Sequence, residues 1–275
     1  MIPLRDNVPT RRFPLVCVCL IVINVIIFVL DQAQSSVITY ALPGGQTAQE
    51  AIGGLSLRYA MIPAYITGNI QSQPLTPLFV QPAWITIFTA MFLHANWLHI
   101  GGNMLYLWIF GNNIEDVLGR GRFLAFYLLS GVGAAALQIV SDPSSPIPSI
   151  GASGAIAGVM GAYILLYPNA KVLSLVPIFI ISTLMEVPAL LVIGLWFLLQ
   201  VLNAQMLGSG GMLTHEGGVA YMAHIGGFIV GMLMIVLLGG RKLLPPKEEP
   251  IPEWLRNLPP DPDNRYDARW RDRDR

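Results

Sequence analysis

Six stretches of the chain stay apolar long enough to cross a lipid bilayer, at about 13–30, 99–118, 123–141, 151–167, 187–207 and 219–239. A crossing helix needs roughly 20 such residues. The run 172–207 is too long for one crossing, and Pro177, Glu186 and Pro188 interrupt it. It predicts an interfacial, loosely packed approach over 172–185 and the crossing itself over 187–207. Arg5, Arg11 and Arg12 precede the first run and Ala33 follows it, as around a signal peptide. Its apolar run exceeds a typical signal core, so an uncleaved anchor is expected. The segment 31–98 mixes Gly, Pro and Gln with an apolar stretch from Trp84 to Leu93. It predicts a lobe folded against the outer leaflet and partly embedded in it. The pattern as a whole predicts an all-α, polytopic membrane protein built as a six-transmembrane-helix bundle.

Composition agrees with that pattern. Hydrophobic residues make up 54% of the chain and charged ones 12%, where a soluble domain carries about 25% charged. The mean hydropathy is +0.59. Seven Lys/Arg and eight Asp/Glu lie in 243–275 alone, so the remainder is more apolar still. This Pro-rich, charged end reads as a disordered cytoplasmic tail. The expected division is thus 1–12 as a cytoplasmic N-terminus, 13–242 as the membrane domain and 243–275 as the tail. With the N-terminus inside, the inner side carries Arg5, Arg11, Arg12, Arg120, Arg122, Lys171, Arg241 and Lys242, while the outer loops carry only Arg58. That asymmetry is the one the positive-inside rule demands. A formal net charge of zero gives no sign of nucleic-acid binding. Cys17 and Cys19, two positions apart on a helix, face different directions and predict lipid-facing or packed thiols, not a disulfide.

Ionisable and polar groups inside a membrane are expensive and mark function. His99 and Asn103, four apart, share one face at the outer end of the second helix. Ser153 opens the fourth helix at the same end, and His224 lies about a turn and a half into the sixth. All four should sit on the order of 5–10 Å below the outer surface. A serine hydroxyl becomes a useful nucleophile when a base takes its proton, and imidazole suits that task. An Asn amide, a second imidazole and a helix N-terminal N–H can supply the donors that a tetrahedral oxyanion needs. No acidic residue lies near His224 on its own helix, so a dyad is expected. In GASGAIAG (151–158) Gly154 and Gly158 are four apart, as are Ala223, Gly227 and Gly231 in AHIGGFIVG (223–231). Small residues at that spacing let helices approach backbone to backbone, which would bring Ser153 to His224.

The run HANWLHIGGNMLYLWIFGNNIEDVLGRGRF (94–123), then GASG (151–154), then AHIGGFIVG (223–231) resemble the rhomboid intramembrane proteases in order and spacing, over about 84–240. The resemblance implies a serine endopeptidase that cuts transmembrane protein substrates in the bilayer, with no cofactor or metal. It implies Ser153 as nucleophile and His224 as general base. His99, Asn103 and the Ser153 backbone N–H are implied as the oxyanion hole, and Gly151, Gly154, Gly158, Gly227 and Gly231 are read as close-packing positions. A water-filled cavity gated by the fifth helix and the loop before the sixth is also implied. One departure is plain: many members carry a Trp-Arg pair before this stretch, whereas Trp84 here is followed by Ile85 and Thr86. A bacterial plasma membrane, with both termini cytoplasmic, is the expected location.

The remaining polar residues have plainer readings. His94 is expected to bond within the outer lobe. Glu115 and Asp116 are expected to pair with Arg120 and Arg122 at the interface, and His215 and Glu216 to form a solvated turn. Trp97, Trp108 and Tyr106 read as interface anchors or packing. Two rival functions remain. A transporter would need polar residues along a through-pathway, and the inner halves of these helices are nearly free of them. A catalytically inactive rhomboid-like binding factor would typically lack the Ser or the His, and this chain has both.

Overall fold

A computed structural model describes residues 1–34, 36–41, 47–69, 82–178, 181–208 and 219–244. His215, Glu216 and nearly all of the expected tail fall outside the described residues. Helix α1 (Leu15–Gln32) starts after Pro14 with no cap of its own. Its free N–H groups are taken instead by Glu115, whose carboxylate accepts from Val16 N at 3.0 Å and Cys17 N at 2.7 Å. A carboxylate there also opposes the helix dipole favourably. Helix α2 runs through three contiguous stretches, Trp97–Tyr106, a π-helical Leu107–Gly111 and Asn112–Leu118. Asn96 caps it by accepting from His99 N at 2.8 Å. The Leu107 carbonyl, where the π turn begins, accepts from the buried Cys17 thiol at 3.3 Å. Cys19 is exposed and unbonded to Cys17.

Gly119, at φ +76°, ends α2 and turns the chain into α3 (Arg120–Ser141). Then follow α4 (Ser153–Leu166), α5 (Ala189–Gly208) and α6 (Tyr221–Leu237). Among the described residues α1 and α3 are each apolar over at least 18 residues, enough to cross a membrane, while α4, α6 and 189–205 are apolar but shorter. Helix α4 is the centre of the bundle, buried from Gly154 through Tyr163. It meets α6 backbone to backbone: a Cβ on Gly227 would collide with the Gly154 carbonyl, and one on Gly231 with the Gly158 carbonyl. Helix α5 lies at the edge and leaves Leu191, Leu195, Leu198 and Leu202 exposed.

The fold is mostly helical, yet not all-α. Strands β1 (Ile2–Asp6), β4 (Lys171–Ile178) and β5 (Ile181–Pro188) form an antiparallel sheet in the order β1-β4-β5, and β2 (Ser36–Ala41) pairs with β3 (Thr47–Ile52). The approach expected over 172–185 is therefore a hairpin. Val172, Val176, Ile178, Ile181, Thr183 and Val187 supply the β-branched residues that suit it. Pro177 lies beyond Leu175, near which β1 stops pairing, so its missing N–H breaks no rung on that side.

The sheet also orders the bundle. It joins the segment before α1 to the segment between α4 and α5, and Arg11 adds an ion pair to Asp116 at the end of α2, at 3.0 Å. These helix ends form the strand end. The starts of α2, α4 and α6 gather at the opposite end, where Gln138, late in α3, accepts from Ala223 N at 3.2 Å. The connection into α4 is stitched to the region before α2 by Met61 and Ser149, which exchange both backbone bonds, and by Gly151 N donating to Ala90 O at 2.8 Å. Glu115 and Asp116 thus bond α1 and Arg11, not Arg120 and Arg122 as expected from sequence proximity.

Candidate active site

Ser153 is the first residue of α4, so its backbone N–H has no partner within the helix. Its Oγ lies 2.8 Å from His224 Nε2 on α6. The glycine contacts explain this closeness: with the helices touching at Gly154–Gly227, residues three before Gly227 and one before Gly154 face each other across the seam. His224 is buried, 8% exposed. Its other nitrogen, Nδ1, lies 2.8 Å from Gln200 Oε1 on α5, and the Trp196 ring stands 5.5 Å away at 39°. Sequence reasoning did not name Gln200. Its one signal was a lone amide in the otherwise apolar run 189–202.

The two remaining residues lie on α2. The amide nitrogen of Asn103 is buried and has no hydrogen-bond partner among the described residues. His99 Nδ1 accepts from Ala95 N at 3.3 Å, which leaves the ring proton on Nε2. That nitrogen borders the space above Gly151: a Cβ there would stand 2.9 Å from His99 Nε2 and 3.4 Å from Ser153 Oγ. Gly151 is at φ +129°, a conformation closed to ordinary side chains. It therefore lies outside the α4–α6 seam, where it was grouped with the packing glycines, and keeps open the gap between His99 and Ser153. Gly154, Gly158, Gly227 and Gly231 do lie at that seam.

A cavity of about 40 Å³ opens beside Ser153, lined in part by Met91, Ala134, Gly154, Ala155 and Ala223. His94 is fully buried, its ring edge-on to His99 at 5.1 Å. Its ring nitrogens meet no partner at full hydrogen-bond geometry among the described residues, while the Phe92 backbone in the same lobe lies close enough to act on the ring. Burial, then the neighbouring His99, push its pKa down to about 3. Trp97 is 70% exposed and touches Phe28 edge-on, and Trp108 is also exposed. Trp84, at the departure from the Trp-Arg pair, is exposed against Phe88, while Thr86 is buried and donates to Ala83 O at 2.6 Å. No group of His, Cys, Asp and Glu suited to a metal occurs among the described residues.

The family model of the Rhomboid domain matches residues 81–241, more than half of the chain. Rhomboid-like protein 11, chloroplastic, of Arabidopsis thaliana is 31% identical over 165 residues, covering 57% of this chain and 53% of that protein. Rhomboid protein 1, mitochondrial, of Saccharomyces cerevisiae is 31% identical over 153 residues, covering 54% and 40%. Rhomboid protease GluP of Bacillus subtilis is 35% identical over 162 residues, covering 59% and 27%. The chain thus spans about half the length of these relatives or less. Chloroplastic and mitochondrial proteins stand beside the Bacillus one, so a bacterial plasma membrane is not supported as the location.

Proposed function

The chain belongs to the rhomboid family, a family of integral membrane proteins, and from that premise we propose that it is an intramembrane serine endopeptidase working through Ser153 and His224. The observation that carries the reading is the 2.8 Å contact between Ser153 Oγ and His224 Nε2. In the reaction His224 takes the serine proton while Oγ attacks the scissile carbonyl. The oxyanion that forms is met by Asn103 Nδ2, His99 Nε2 and the Ser153 N–H. Collapse breaks the C–N bond, and the proton on His224 passes to the departing amine. Water, deprotonated by the same imidazole, then releases the acyl group and restores Ser153. The 40 Å³ cavity beside Ser153 admits a small side chain next to the scissile bond.

The substrates are membrane proteins with a transmembrane segment that unwinds near the site end. A regular helix hides its carbonyls in its own hydrogen bonds, so scission requires extended backbone. All six helices cross the bilayer in this reading, with α2 completed by its π segment and the shorter α4 shielded by its neighbours. The strand end faces the cytoplasm, because Arg5, Arg11, Arg120, Arg122 and Lys171 collect there. Purified enzyme should cleave a single-span reporter in detergent or vesicles, and Ser153→Ala should not, while its thermal stability stays near wild type. Alanine keeps the small size that the helix seam needs. Equal cleavage by both proteins would refute the assignment.

A further inference from the structure

The amide of Gln200 stands between two groups whose requirements are fixed. On one side the Trp196 carbonyl, one turn back on α5, lies 3.2 Å from Gln200 Nε2. A carbonyl oxygen only accepts, so the NH₂ must face it and Oε1 must face His224 Nδ1, 2.8 Å away. That oxygen also only accepts, so Nδ1 must carry the ring proton. Nε2 is then bare where it meets Ser153 Oγ. The amide turned over would set oxygen against the Trp196 carbonyl and drive the ring proton to Nε2, where the serine proton could not be received. One chain of donors and acceptors thus runs Ser153, His224, Gln200, Trp196, in a single direction.

Packing holds this chain in place. Gln200 is 8% exposed. Trp196 stacks at a tilt on the same imidazole, and Phe197 stacks on Phe228 at 4.3 Å and 23°. Residues 196, 197 and 200 share one face of α5, so the contact face of this edge helix is spent on the neighbourhood of His224. When the imidazole is protonated in the reaction, Nδ1 keeps its proton and Gln200 keeps its bond. A neutral acceptor does this without burying a second charge among apolar helices, which a carboxylate would.

We propose that Gln200 is a positioning residue of the hydrolytic site, acting through His224 to hold the imidazole in the tautomer and orientation that accept the Ser153 proton. The proposal rests on the protease reading above. It is tested by kcat and KM on a transmembrane reporter for purified wild type, Gln200→Leu, Gln200→Met and Gln200→Glu, with Ser153→Ala as the zero.

Leu and Met fill the space without an acceptor, and Met, being unbranched, serves if the Leu variant does not fold. Both should lower kcat roughly 10- to 100-fold, the range set by one unsatisfied buried donor. KM should stay within about twofold, because substrate does not touch Gln200. Gln200→Glu keeps an acceptor opposite Nδ1 and should recover at least about fivefold over Gln200→Leu, an effect that space-filling alone would not give. A kcat within about twofold of wild type in both apolar variants would overturn the role, as would a Glu variant no faster than Leu. Wild type no more active than Ser153→Ala would instead overturn the protease reading, and the role of Gln200 with it.

Discussion

The two ends of the helix bundle both carry buried polar groups, and they leave different ones open. At the strand end most valences are filled, with Asn113 Oδ1 and Asp116 Oδ1 left over. Asp6 accepts from Asn113 Nδ2 at 2.7 Å and Tyr163 OH at 2.6 Å, Glu115 caps α1, and Asp116 pairs with Arg11. Burial raises the Asp6 pKa, with the bonds from Tyr163 and Asn113 pulling against it. At the site end, Asn103 Nδ2 is open, His99 Nε2 points into a gap kept clear by Gly151, and Ser153 Oγ bonds only a base. Polar groups that lock a fold are closed on one another, whereas polar groups that act on a substrate retain a free valence. Residue type alone does not separate the two ends, because each has Asn and ionisable side chains. Satisfaction does.

The largest effect should come from the seam that makes the site end possible. Gly227→Val drives side-chain carbon into the Gly154 carbonyl, and relief requires α4 and α6 to separate. Overpacking of this kind costs about 1–3 kcal/mol or more, and a shift near 1 Å costs about 100-fold in rate. Loss of measurable turnover with a lowered Tm is expected; normal turnover would mean the helices are not held as described.

Next comes the free valence itself. Asn103→Ala should lower kcat roughly 100- to 1,000-fold with KM little changed, since an oxyanion donor strengthens in the transition state. A rise in KM alone would make Asn103 a substrate-binding residue. The strand end should answer in the opposite currency. Tyr163→Phe removes a bond to the Asp6 carboxylate, and about 1.5–3 kcal/mol of stability should go with it. Turnover at a temperature where both proteins are folded should be unchanged, and a large fall in kcat there would blur the contrast between the ends.

The last contrast concerns acid. His94 is buried with a pKa near 3, against 6.5 when free. As pH falls below about 6.5 the unfolded chain takes up the proton first, so stability present at neutral pH is lost progressively toward pH 3. His94→Phe should show a shallower fall of Tm over that window, with no difference in slope above pH 7. Parallel curves would mean that His94 is not held neutral by its surroundings.

Much of the site end was legible because its residues announce themselves by spacing. His99 and Asn103 are four apart on one helix, and alternating helix direction puts Ser153 and His224 at the same end. Gln200 was not legible as a partner of His224, because the sheet hairpin and the edge position of α5 decide which of its faces meets α6. The sheet itself was hidden for a different reason. An apolar, β-branched stretch such as 172–187 reads equally as membrane-associated chain or as strand until its partner, here residues 2–6, is known. Glu115 was misread toward the nearby Arg120 and Arg122, since its true partner, the start of α1, lies 98 and 99 residues away.

The most direct test of the central claim is mechanism-based labelling. A fluorophosphonate should modify the wild-type protein once, and peptide mass spectrometry should place the adduct on Ser153. Labelling should vanish in Ser153→Ala, fall steeply in His224→Ala, and slow in Asn103→Ala, because phosphonylation also sets an anionic oxygen among the donors. An adduct on another residue, or undiminished labelling without His224, would contradict a serine activated by that imidazole.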